Sequence, residues 1–137
     1  MSYSIDKIEG IGAAYADKLK VAGIKTTDDL LTQAATRSAR EKLAEATGIS
    51  EKLILRWANH ADLFRIKGIS SQFAELLEAA GVDTVKEFRH RVPENLHAKL
   101  DEINAKGKHQ LSGRVPSVKE LSDMIAQAQS VEPKISY

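Results

Sequence analysis

A chain of 137 residues with 42% hydrophobic and 28% charged residues has the composition of an ordinary soluble domain, long enough for one core or two small cores that share an interface. It contains no cysteine, which excludes disulfides, thiolate chemistry and cysteine-based metal sites. Its 20 basic and 19 acidic residues provide no global field that would attract a polyanion. No apolar run reaches the ~20 residues of a membrane span, and the N-terminus lacks the pattern of a signal peptide, so we expect a cytoplasmic protein without membrane contacts.

Apolar residues recur at helical spacing along nearly the whole chain, and no segment alternates as a strand would. A short lead helix is predicted near residues 4–8, and longer helices follow at 13–22, 27–33, 38–46, 51–64, 71–80, 85–91, 94–106 and 118–129. Capping boxes are predicted at three helix starts: Thr26 with Asp29, Thr84 with Glu87, and Ser117 with Glu120. Only residues 131–137 favour β-structure. The sequence therefore predicts an all-α chain.

Residues 8–31 recur 58 positions later as residues 66–89, and this repeat is the most informative feature of the sequence. Eight of the 24 aligned positions are identical, at residues 8, 10, 11, 16, 19, 22, 23 and 26 of the first copy. Such a repeat indicates a duplicated unit, and we predict a first repeat over 1–64 and a second over 65–137 with a basic loop, the C-terminal helix and the tail. The junction at 62–65 lacks Gly and Pro, which predicts a continuous helix there and a packed interface between the repeats.

Each copy opens with a glycine turn, which we name the first glycine turn (residues 8–12) and the second glycine turn (residues 66–70). Gly10 and Gly12 have no Cβ, so the backbone can take positive φ and bend sharply, while Ile11 anchors the turn to the core. The helix that follows begins with unpaired N–H groups at the positive end of its dipole, which suits a phosphate oxygen. In the second turn Ser70 replaces Gly12, and its hydroxyl can cap the next helix. The candidate phosphate-binding residues are Gly10, Ile11, Gly12, Ala13, Ala14 and Lys18 in the first copy, and Gly68, Ile69 and Ser70 in the second.

The segments IEGIGAAYADKL, AGIKTTDDLL and IKGISSQFAELLEAAGVDTVKEF resemble the helix-hairpin-helix superfamily, and the chain from Ile5 onward is similar to a bacterial family known as domain of unknown function 4332. The resemblance implies tandem helix-hairpin-helix units, SAM-like helical bundles packed as a pseudo-repeat, with no established activity. The AGI-x-T-x-x-DLL ending is also similar to the C-terminal helical domain of the RNA polymerase α subunit and of competence regulators, which by analogy implies a DNA minor-groove or protein-docking role. Helix-hairpin-helix motifs that bind DNA usually carry Lys or Arg just past the second glycine, where this chain has Ala13 and Ala14.

One stretch of the second half is locally basic. No acidic residue lies between Glu102 and Glu120, and a further group of cations lies just upstream. This pattern is typical both of a loop that contacts phosphates beside the second glycine turn and of an ordinary solvated loop. The candidate basic cluster consists of Arg89, Arg91, Lys106, Lys108 and Arg114.

The remaining residues favour no catalytic chemistry. The histidines show no ligand spacing, so we predict surface or helix-end histidines and no metal site at His60, His90, His97 and His109. Trp57 is interpreted as the core anchor of the longest helix and not as a base-stacking platform. No nucleophile lies beside a base and no glycine-rich loop ends in Lys, so we predict neither an enzyme nor a cofactor.

Two functions remain open from the sequence. The first is a module that contacts the backbone phosphates of nucleic acid, DNA in particular, without sequence specificity. The second is a protein-protein interaction or scaffolding module that binds no nucleic acid. The glycine turns favour the first function, and the near-neutral charge favours the second.

Overall fold

The computed structural model describes residues 2–105 and 115–136, which form eight α-helices and one short 3-10 helix, Ile5–Lys7. The α-helices are α1 (Ala13–Val21), α2 (Thr27–Gln33), α3 (Arg37–Thr47), α4 (Glu51–Leu63), α5 (Ser71–Ala79), α6 (Val85–Phe88), α7 (Pro93–Ala105) and α8 (Val118–Gln129). Within these residues no strand forms, although one isolated antiparallel bridge joins Ser4 to Thr26. The predicted all-α class is confirmed. None of the helices in this part of the chain combines the length and the apolarity needed to span a bilayer.

The helices begin where side chains can cap them. At α2, Thr26 Oγ1 accepts the Asp29 N–H and the Asp29 carboxylate accepts the Thr26 N–H, both at 3.1 Å, so this capping box is confirmed. The box at Ser117, before α8, is confirmed in the same way. At α6 only half of the predicted box forms: Thr84 Oγ1 accepts the Glu87 N–H at 3.2 Å, and no reciprocal contact is present in the described residues.

The ends of α1 and α5 are set by equivalent glycines. Gly23 and Gly81 both have a φ of 87°, a conformation that only glycine adopts without strain. In each case the N–H of the following residue donates to the carbonyl five positions back, at 2.9 Å after α1 and 2.8 Å after α5. This bond closes the end of the helix and directs the chain into the next one.

The core is continuous through the chain, and α4 is its central helix. It packs against α2, α3 and α5, and the buried hydrophobic side chains from both halves form one cluster. Leu19, Leu30, Leu77 and Phe88, at equivalent positions of the repeat, are buried. Leu53 of α4 is only partly buried.

The junction between the halves differs from the prediction, because α4 ends at Leu63 instead of continuing as a helix. The N–H of Arg65 donates to the carbonyl of Asp62 at 3.2 Å, and the N–H of Ile66 donates to that of Leu63 at 3.0 Å, which tightens the chain into a turn. The turn is fixed from inside, since the buried Asp62 carboxylate bonds the Arg65 guanidinium and accepts the N–H of Val85 at 2.8 Å.

Residues 131–136, which favoured β-structure in the sequence, form no strand and return to the first half of the chain. The N–H of Ser136 donates to the carbonyl of Ala35 at 2.8 Å. The Arg40 guanidinium donates to the carbonyls of Ala34 and Ser136, at 2.9 and 2.7 Å. Arg40 is only 4% exposed, so a buried cation fastens this tail to the end of α2.

Candidate functional site

The first glycine turn lies directly before α1. Gly10 has a φ of 94°, as the sequence predicted, and buried Ile11 anchors the turn. Gly12 differs from the prediction: its φ of −87° and ψ of −173° are an extended conformation that any residue can adopt. Gly12 also provides no side chain to cap α1, and the N–H groups of the first residues, 13–15, have no partner in the described part of the chain. The start of α1 is therefore open to an external acceptor.

The second glycine turn has the same backbone but a different start to its helix. Gly68 has a φ of 93°, and Ser70, with φ −85° and ψ 171°, matches the conformation of Gly12. Ser70 Oγ accepts the N–H of Phe73 at 3.1 Å. The predicted hydroxyl cap of α5 is thus present. The Ser70 hydroxyl thus binds the N–H of Phe73, whereas the equivalent N–H of Tyr15 in α1 has no such cap.

The structure brings the two glycine turns to one surface. A cavity of about 490 Å³ is lined by Ser71 and by residues 6–12, which include the first turn. A second cavity, of about 400 Å³, is lined by Tyr3, Lys7, Phe64 and residues 68–71. Lys7 and Ser71 line both cavities, so they mark the boundary between the two turns. We name the two cavities together the inter-turn surface.

Lys7 was not among the residues predicted from the sequence. Its signal was available, because position 7 aligns with Arg65 when the repeat is extended backwards by one residue. Arg65, however, is engaged by Asp62 and by the carbonyl of Glu132, whereas Lys7 is exposed. The acidic residues Asp6 and Glu9 lie in the same cavity lining as Lys7. The inter-turn surface therefore carries charge of both signs.

Lys18, predicted as a supporting cation, lies further along α1 and does not line either cavity. Its Nζ is 5.8 Å from the centre of the Tyr15 ring, in a cation-π position. The Tyr15 ring packs edge-on against Trp57, with ring centres 5.1 Å apart. Trp57 is 1% exposed, which confirms it as a core anchor. Its Nε1 lies 3.5 Å from the place that a Cβ on Gly10 would occupy.

The basic cluster does not join the inter-turn surface through its described members. Arg91 Nη2 donates to Glu87 at 2.8 Å and to the carbonyl of Gly81 at 3.1 Å, beyond the end of α5 that is opposite to Ser70. Arg89 is half-buried, and its carbonyl accepts a bond from Gln129 at 2.7 Å. The other members, Lys106, Lys108 and Arg114, lie outside the described residues.

Sequence reasoning missed a polar cluster between α4 and α5. Glu78 accepts from Arg56 Nε at 3.1 Å, and its other oxygen lies 3.2 Å from His60 Nε2. Partial burial acts to raise the pKa of Glu78, but the hydrogen bonds and charges of His60 and Arg56 outweigh it and hold that pKa below its usual range. Partial burial, and then the charges of Glu78 and Glu87, raise the pKa of Asp83. These partners are about 20 residues apart in the chain, so no local spacing could have indicated them.

His60 lies in the last turn of α4, as the prediction of a helix-end histidine allows, but it is not at the surface. His60 is buried, with only 1% of its side chain exposed, and its Nδ1 has no partner in the described structure. His90 is exposed, and His97 lies 3.5 Å from Asp101 on the surface of α7. No three His, Cys, Asp or Glu side chains come together as a metal site in residues 2–105 and 115–136.

The chain belongs to the family described as Domain of unknown function (DUF4332), whose model matches residues 9–131. The match covers residues 9–12 of the first glycine turn, all of the second, and all eight α-helices of the described structure. No curated protein and no solved structure shows a significant match to the chain.

Proposed function

We propose that the two glycine turns belong to helix-hairpin-helix units packed as a pseudo-repeat, and that the inter-turn surface contacts the backbone phosphates of nucleic acid without reading base sequence. No chemical step is part of this role. The observation that carries the proposal is that both turns border adjoining cavities that share Lys7 and Ser71. Lys7 lines the same cavity as Gly12, the residue before the open amides of α1, and this combination suits the regularly spaced anions of a phosphate backbone.

The binding that this surface supports is weak. The start of α1 offers the uncapped N–H groups of residues 13–15, and Lys7 offers one charge. With Lys18 and the basic cluster as secondary contacts, about two to four phosphates are neutralised, which corresponds to micromolar or weaker affinity near physiological salt. The affinity falls steeply as salt rises, because each contact releases condensed counterions.

The difference between Gly12 and Ser70 provides the sharpest test. The two residues share one backbone conformation, so Gly12→Ser places a hydroxyl where it caps the Tyr15 N–H as Ser70 caps Phe73. The variant gains a few tenths of a kcal/mol of stability from the new cap. It loses affinity for nucleic acid, because one of the open donors is occupied. Ser70→Gly has the opposite effect on both quantities.

The measurement is fluorescence anisotropy of a labelled DNA duplex at two salt concentrations, with urea unfolding of each variant in parallel. Lys7→Gln lowers the salt slope by about one, as expected for one lost phosphate contact. Lys20→Gln is the matched control, because Lys20 is exposed in the last turn of α1, away from the inter-turn surface. A Gly12→Ser variant that is stabilised but binds like the wild type contradicts the proposal.

Protein interaction is the second candidate function. Asp6 and Glu9 beside Lys7 favour it, since they repel a phosphate backbone but suit a partner of mixed charge. The same titration separates the two functions. If neither duplex nor single strand binds at low salt, scaffolding replaces nucleic-acid binding, and sedimentation at rising protein concentration then tests a second copy of the chain as the partner.

A further inference from the structure

The second cavity of the inter-turn surface has an apolar wall that phosphate binding does not use. Tyr3, Phe64 and Ile69 line it together with Gly68 and the two serines at the start of α5, and its volume is about 400 Å³. Lys7 is the cation on the same lining. An apolar cavity of this size beside a cation matches a ligand with a flat uncharged part and an anionic part.

The Tyr3 ring is held in place before any ligand arrives. The N–H of Tyr3 donates to Thr27 Oγ1 at 3.1 Å, and the Tyr3 carbonyl accepts the Thr27 N–H at 2.8 Å. The ring packs edge-on against Phe64, with centres 5.6 Å apart and planes at 71°. Phe64 is buried, whereas Tyr3 is half-buried and keeps part of its ring at the cavity. Because the ring is already ordered, little conformational entropy is lost when a flat group packs against it.

We propose that this cavity receives an unpaired nucleobase, so that the chain binds single-stranded nucleic acid in preference to duplex. The proposal rests on the phosphate-binding function and names its ligand more closely. In a duplex the bases are stacked on each other and present only phosphates to this surface. A single strand can turn one base into the cavity while its phosphate lies at Lys7 and the first glycine turn. Aromatic packing accepts any base, so sequence preference stays weak.

The experiment compares three probes of equal length by fluorescence anisotropy: a labelled oligothymidylate, an abasic oligomer that has the phosphates but no bases, and a duplex. The wild type binds oligothymidylate about fivefold or more tightly than the abasic oligomer, which is the lower end of what stacking on one base contributes. Tyr3→Leu removes this preference by lowering the affinity for oligothymidylate only. Tyr3→Phe retains it and is the matched control for the ring.

The outcomes separate the two proposals. Equal affinity for oligothymidylate and the abasic oligomer, or tighter binding of the duplex, overturns the base cavity while leaving phosphate contact in place. Unchanged oligothymidylate affinity in Tyr3→Leu overturns it as well. If none of the probes binds at low salt, both proposals fail. Should Tyr3→Leu not fold, the comparison of probes on the wild-type protein still decides.

Discussion

A substitution at Gly10 tests, through the stability of the protein, whether the first glycine turn requires a positive φ. The φ of Gly10 is 94°, in the part of backbone conformational space that residues with a Cβ avoid. An alanine held in that conformation destabilises the folded protein by about 1–3 kcal/mol. Space adds little to this cost, because the new Cβ would lie 3.5 Å from Trp57 Nε1, an ordinary contact distance. We therefore expect Gly10→Ala to lose about 1–3 kcal/mol through backbone strain alone.

Gly12→Ala is the matched control. Gly12 has an extended backbone, and a Cβ there would meet no atom within 4 Å. Alanine is a poorer helix cap than glycine, which destabilises the variant, but it also restricts the unfolded chain, which stabilises the variant. Each effect is about 0.5–1 kcal/mol, so we expect almost no net change in stability. Urea unfolding followed by Trp57 fluorescence measures both variants. If Gly10→Ala unfolds like the wild type, or if Gly12→Ala loses as much stability as Gly10→Ala, the conformational argument is wrong.

Two further predictions concern the polar groups that the sequence did not reveal. Glu78→Gln is expected to lose about 1 kcal/mol at neutral pH by weakening the contacts to Arg56 and His60. Because folding lowers the pKa of Glu78, its carboxylate stabilises the folded protein above the unfolded pKa of about 4.5, and this stabilisation is lost as pH falls through the folded pKa. A stability difference between wild type and Glu78→Gln that persists unchanged at pH 3 contradicts this expectation. Arg40→Met should cost about 2 kcal/mol by leaving the Ala34 and Ser136 carbonyls without their charged donor, and limited proteolysis should then remove the tail first. Unaltered proteolysis of that variant would show that Arg40 does not fasten the tail.

Most of the fold could be predicted because its signals are local. Thr26, Ser50, Ser70 and Ser117 begin helices through bonds to residues three positions ahead, and such spacings are visible in the sequence. The end of α4 could not be predicted in this way. It depends on the Asp62 carboxylate, which reaches the N–H of Val85, 23 residues away. The absence of Gly and Pro at the junction is a local signal, and the long-range contact overrides it.

The candidate site was predicted less completely, for the same reason. The glycine turns were found because their residues are contiguous and recur. Tyr3 was missed because its importance depends on the second turn folding next to the first, which no spacing within residues 1–12 indicates. Lys7 could have been found by extending the repeat backwards by one residue, to its equivalent Arg65. The assignment of positive φ to both Gly10 and Gly12 was half wrong, since composition cannot distinguish a glycine that the backbone requires from one that it only permits.

The difference between a required and a permitted glycine separates what the fold needs from what the proposed phosphate contact needs. Position 10 and its equivalent, 68, both require glycine, because their φ values are 94° and 93°. Position 12 and its equivalent, 70, accept any residue, because both are extended, and there the chain has glycine in one copy and serine in the other. The fold does not force this difference, and stability favours serine at both places. The uncapped start of α1 is therefore a small loss of stability at one of the two equivalent helix starts, and Lys7 lines the same cavity as its N-cap residue, Gly12. Under the proposed phosphate contact, an external anion, and not the chain itself, supplies the missing acceptor.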